Sequence, residues 1–121
     1  MDAKLTWKSG IAFTGVANSN HPVSLDTPVE IGGGGSGVSP MEMILIGLGG
    51  CTGMDVISIL KKKKQVVTGF EIQVHGDRAT ENPKVFTDIT LEYIVRGKAV
   101  DPVAVARAIE LSETKYCSVS A

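Results

Sequence analysis

With only two cysteines and two histidines in 121 residues, the chain has too few thiols for a disulfide scaffold. It also lacks the Cys-x-x-Cys or His-x-x-x-His spacing that would join His21 or His75 to a thiol in a zinc site, so no metal and no cofactor are expected. An excess of charge of one sign is missing too. Twelve basic and thirteen acidic side chains leave a net charge of -1, which argues against a general nucleic-acid binder. The first residues lack a basic segment followed by an apolar core, which points to the cytoplasm. The longest apolar stretch, Met41 to Leu60, is not continuous. Glu42, Asp55 and the glycines at 47, 49, 50 and 53 interrupt it, as suits a packed helix better than a membrane span. The glycine-rich run over 32–37 has no lysine to hold a phosphate and reads as a mobile loop.

What is present is enough for one domain. The length and a 43% hydrophobic content allow a single core. Leu5 to Lys8, Ile11 to Ala17 and Pro22 to Leu25 read as short strands, separated by Ser9-Gly10 and by Asn18-Ser19-Asn20, the turn residues of an antiparallel meander. Ser39-Pro40-Met41-Glu42 opens a helix with a serine cap, a proline in the first turn and a glutamate three residues after the cap. That helix runs to Lys61 to Lys64, a solvated basic end that opposes the helix dipole. Val66 to Val74 and Val85 to Val95 alternate as strands do, with a turn from Gly76 to Pro83 between them. Asp101-Pro102 starts a second amphipathic helix ending near Lys115. The fold class is therefore α+β, with antiparallel sheets and a long central helix.

The chemistry rests on Cys51, inside the apolar helix, and Cys117, in Lys-Tyr-Cys-Ser-Val near the end. A cysteine among glycines and leucines is most often a small hydrophobe, and a cysteine at a helix end often has no partner. The pattern Ser39-Pro-Met-Glu, Gly-Leu-Gly-Gly-Cys51-Thr-Gly-Met-Asp55 and Lys115-Tyr-Cys117-Ser-Val resembles the OsmC/Ohr family of thiol peroxidases, and its OsmC-like branch most of all. The resemblance spans nearly the whole chain, residues 1–121 as one OsmC-like domain, although the family continues with further structure after the second cysteine. It implies an intertwined homodimer in which Cys51 attacks an organic hydroperoxide and Cys117 closes a disulfide that a dithiol reductant reopens. The implied partners are thus a second copy, a hydroperoxide and a dithiol, without nucleic acid or membrane.

Some positions depart from the hydroperoxide resistance proteins. In those, an arginine in the N-terminal hairpin and a glutamate just after the helix-opening proline support the reactive thiolate. Here Trp7 to Pro22 holds no arginine and position 41 is methionine. Glu42, one place later, projects nearly opposite Cys51 at about 100° per residue, so capping is its more economical role, though both it and Asp55 are candidate supporting residues. Asp55 shares the cysteine's face with Ile44, Gly47, Leu48 and Ser58 and would oppose ionisation of the thiol. A compensating cation is expected, and Arg78, Arg96 and Arg107 are the only arginines. Two readings follow: a two-cysteine peroxidase, favoured by the retained pair, and a dimeric module that binds or senses a small apolar or electrophilic ligand, favoured by the missing hairpin arginine.

Overall fold

A computed structural model describes residues Met1–Ala121 as two compact units, Met1–Ile44 and Leu45–Ala121. In the first, β1 (Ala3–Ser9), β2 (Ala12–Ala17) and β3 (Val23–Leu25) form an antiparallel meander in the order β1-β2-β3. Trp7 pairs with Phe13 across the β1–β2 ladder, and the register slips between Trp7 and Ser9 at a bulge. Gly10 takes a φ of +56° in the tight turn, and the Trp7 indole donates to its carbonyl at 2.8 Å.

The glycine-rich run does not behave as a featureless linker. Asp26, only 4% exposed, accepts hydrogen bonds from the amides of Thr27, Gly34 and Ser36 and from the Ser36 hydroxyl at 2.7 Å. The expectation of mobility gives way to a loop wrapped around one carboxylate, because small residues let several amides converge on it. Ser36 and the surrounding amides hold the Asp26 carboxyl at about 2, below its ordinary 3.8. This stabilisation is complete above pH 3.8 and is lost as the pH falls through about 2, where the carboxyl protonates in the folded loop. Asp26→Asn, which removes an acceptor at every pH, should speed hydrogen exchange at the Gly34 and Ser36 amides at neutral pH. Unchanged exchange there would mean that the loop is held by something else.

At the end of this unit α1 (Pro40–Lys62) begins in the expected capping box. The Ser39 amide donates to Glu42 Oε1 at 3.0 Å, and the Glu42 amide donates to Ser39 Oγ at 3.3 Å. The two Ser39 bonds pull the Glu42 carboxyl below its ordinary range.

In the second unit, β4 (Val66–Arg78) and β5 (Phe86–Lys98) form a long hairpin, followed by α2 (Pro102–Leu111) and a wider π-helical turn at Ser112–Tyr116. The strands outrun their apolar alternation: β4 continues through Gly76, Asp77 and Arg78, so the turn starts later than the Gly-Asp pair suggested. Asp101 caps α2 by accepting from the Val103 amide at 2.9 Å. Leu48, Thr52, Val56 and Leu60, one turn apart, form the buried stripe of α1. Val56 and Leu60 pack with Ala104 and Ala108 of α2, lined by Phe70, Tyr93 and Val95 of the hairpin. Glycines allow β4 to approach: a Cβ at Gly49 would stand 3.0 Å from Val74 Cγ2, and one at Gly53 3.1 Å from Ile72 Cδ1. By length and apolar content α1 alone would suffice to cross a bilayer, but its buried stripe belongs to this core.

Candidate active site

Helical spacing places Asp55 one turn after Cys51 on α1, and the π turn after α2 returns the chain so that Cys117 meets them. The two sulfurs and an Asp55 carboxylate oxygen all lie within 4.8 Å of one another. Both thiols are free. Cys51 is half-buried, whereas Cys117 is 4% exposed. The turn that delivers Cys117 is closed by its amide, which donates to the Ser112 carbonyl at 2.8 Å.

Burial pushes the Cys117 thiol up, but hydrogen bonds outweigh it and leave the group below its ordinary 9.0. The donors are the Ser120 hydroxyl, the Cys51 thiol and the backbone amides of Ser120 and Val119. The single Ser120 proton is shared in reach between this sulfur and the Cys117 carbonyl, 3.2 Å from Ser120 Oγ. An activating arginine is not found. Arg96 pairs with Glu71 at 3.3 Å, Arg107 with Glu110 at 2.9 Å, and Arg78 Nε donates to the Lys84 carbonyl at 2.8 Å. Neutral donors, and no arginine, act on the Cys117 sulfur.

Asp55 is tied into a chain of hydroxyls that sequence reasoning missed. Ser112 Oγ, fully buried, lies 3.0 Å from Asp55 Oδ2 and 2.9 Å from Thr52 Oγ1, and Thr52 Oγ1 lies 2.9 Å from the Tyr93 hydroxyl. Each hydroxyl has one proton and an ionised carboxylate only accepts. Ser112 Oγ is placed to donate to Asp55 Oδ2 or to Thr52 Oγ1, and Thr52 shares the next bond with the Tyr93 hydroxyl, in which either can donate. Burial pushes the Tyr93 phenol up from 10.0 against the pull of the Thr52 hydroxyl, and negative charge at Glu113 and Cys117 adds to the rise, so the phenol stays protonated. No periodicity or spacing marks these residues; only Thr52, adjacent to Cys51 and on the apolar stripe, carried a signal. Ser112→Ala should cost about 1–3 kcal/mol in chemical denaturation, because it strips the part-buried Asp55 oxygen of its partner and the buried Thr52 hydroxyl of one of its two bonds. An unchanged midpoint would mean that water replaces the serine.

The other candidates lie elsewhere. Glu42 is spent on the cap of α1 in the first unit. His75 is exposed and bonds Asp77 at 2.9 Å, and His21 sits in the exposed β2–β3 turn of the first unit. A cleft of about 350 Å³ borders Asp55, lined by Ser58, Ile59, Leu111 and Tyr116 with Lys62 and Lys63.

The model of a family described as "OsmC-like protein" matches residues 33–121. Protein YhfA of Escherichia coli strain K12 is 42% identical over 120 residues, covering 99% of this chain and 87% of that protein. A hypothetical protein of Aquifex aeolicus VF5 superposes with a TM-score of 0.86 at 34% identity, over 98% of this chain and 83% of the other. An organic hydroperoxide resistance protein OsmC from Legionella pneumophila superposes at 0.67 with 13% identity, over 98% of this chain and 85% of the other, a likeness of fold.

Proposed function

The chain belongs to the OsmC-like family, and on that premise we propose that it is a cysteine peroxidase that reduces organic hydroperoxides. The observation that carries the proposal is the meeting of Cys51 and Cys117 across 66 positions of sequence, with their sulfurs no more than 4.8 Å apart and unbonded. A structural cysteine needs no such partner.

Cys51 is the more exposed sulfur and the one a peroxide reaches first. The donors around Cys117 favour charge on that sulfur for the second step. Cys51 reacts as its thiolate, the nucleophilic form of a cysteine. Cys51 then attacks the outer peroxide oxygen: an S–O bond forms, the O–O bond breaks, and the alkoxide takes a proton from solvent to leave as an alcohol. The sulfur is now a sulfenic acid. Cys117, as its thiolate, attacks that sulfur, an S–S bond forms, and hydroxide leaves and takes a proton from solvent to become water. Two thiols and ROOH have become a disulfide, ROH and water. An external dithiol reverses the S–S bond by exchange and is itself oxidised.

Ile59, Leu111 and Tyr116 in the cleft beside Asp55 favour peroxides that carry hydrocarbon, at about 0.8 kcal/mol per buried methylene. The assembly proposed is a homodimer working in the cytoplasm. The test is steady-state consumption of an alkyl hydroperoxide with a dithiol reductant, in the intact chain and in Cys51→Ser. Consumption should fall to the uncatalysed background in the variant. Absence of turnover in the intact reduced chain would reject the peroxidase and leave a ligand-binding or sensing dimer.

A further inference from the structure

We propose that the reduced thiol pair and Asp55 form a binding site for a thiophilic divalent cation, with Zn²⁺ the fitting ion, so that metal and peroxide compete for the same sulfurs. Three donors from two separate segments already converge. Cys51 and Asp55 come from one helical turn of α1, Cys117 comes from the end of the π turn, and their ligand atoms lie within 4.8 Å of one another. A zinc ion takes sulfur at about 2.3 Å and carboxylate oxygen at about 2.0–2.2 Å, which separates tetrahedral ligands by somewhat under 4 Å. Closing the present triangle onto one ion therefore asks for movements of about an ångström, within the reach of side-chain rotation.

The carboxylate is not free to wander. Ser112 holds Oδ2 at 3.0 Å, and Thr52 and Tyr93 continue that chain, leaving Oδ1 as the unengaged oxygen. Outer hydrogen bonds of this kind orient ligands in zinc proteins. The donor set selects the metal: two thiolates with one carboxylate suit Zn²⁺ or Cd²⁺ and disfavour Mg²⁺ and Ca²⁺, which prefer oxygen. Two thiolates and a carboxylate gather three negative charges, which a divalent ion compensates. Binding releases whatever protons the two sulfurs still hold, while a disulfide has no thiolate to offer, so the metal-loaded and oxidised states exclude one another. The histidines take no part.

The experiment uses the reduced full chain, titrated with Zn²⁺ against a chromophoric chelator and, separately, with Co²⁺ followed by absorption. One equivalent per chain is expected to bind saturably, and Co²⁺ should show a thiolate-to-metal charge-transfer band. Cys51→Ser and Cys117→Ser should each weaken binding by about 100-fold, and Asp55→Asn by about 10-fold or more. The disulfide form should not bind until it is reduced. Circular dichroism checks that each variant is folded, and the Co²⁺ spectrum of the intact chain stands whatever the variants do. No saturable binding, binding that survives both serine substitutions, unchanged affinity in Asp55→Asn, or a Co²⁺ complex without the thiolate band would each overturn the site. None of these outcomes depends on peroxide turnover.

Discussion

Cys117→Ser should consume one equivalent of an alkyl hydroperoxide in a fast phase and then stall, with Cys51 accumulating as sulfenic acid and, with excess peroxide, as sulfinic acid. The reason is the geometry of the pair. Cys51 is exposed enough to meet the peroxide, and Cys117 is the only other thiol in the chain, held against it. Without that thiol the sulfenic acid has no internal partner and moves up the oxidation series. Cys51→Ser should show neither the fast phase nor any disulfide. Mass spectrometry of trapped sulfenic acid, run beside single-turnover kinetics, reads both variants. The reverse pattern, with a fast phase surviving in Cys51→Ser and lost in Cys117→Ser, would exchange the two roles, and the hydrogen-bonded Cys117 thiolate would then be the nucleophile.

The second large effect concerns assembly. The unfolding midpoint should rise with protein concentration, with each tenfold increase adding about 1.4 kcal/mol to the stability of a dimer. Opposite its buried stripe, α1 presents Gly47, Gly50 and Met54, with Met54 74% exposed. In the meander of the first unit, Leu5 is 55%, Trp7 62% and Ile11 50% exposed. Apolar surface on this scale calls for cover, and a symmetric pair of chains is the commonest way to supply it. Cys51 stands at the border of the open face of α1, so a partner there would wall in the reactive sulfur.

Gly47 and Gly50 make the idea sharper. Nothing in the chain lies within 4 Å of a Cβ built at either. On a solvated helix, alanine would gain about 1 kcal/mol by propensity. Under a closely packed partner it should instead weaken the dimer. Stabilisation by Gly47→Ala, or sedimentation as a folded monomer at micromolar concentration, would sink the assembly.

Local codes made most of the fold readable. Ser39, Pro40 and Glu42 mark the start of α1, Asp101 and Pro102 that of α2, and alternation in Phe70, Ile72 and Val74 marks β4, because caps and pleats depend on residues a few positions apart. Two features escape such codes. The glycine run reads as mobile because its anchor, Asp26, stands outside it in sequence, and the donors to Cys117, such as Ser120 and the Val119 amide, leave no signature.

The sequence by itself determined the α+β class, both helix starts, the meander and the two cysteines as the residues of interest. Only the tertiary structure decided that Cys51, Asp55 and Cys117 converge, that Ser112, Thr52 and Tyr93 support Asp55, and that Glu42 serves the cap alone. The physical reason is range. Hydrogen bonds and hydrophobic periodicity within one element are written in neighbouring residues, whereas Ser112 reaches Thr52 across 60 positions only after α1, the hairpin and α2 have packed around Val56 and Leu60.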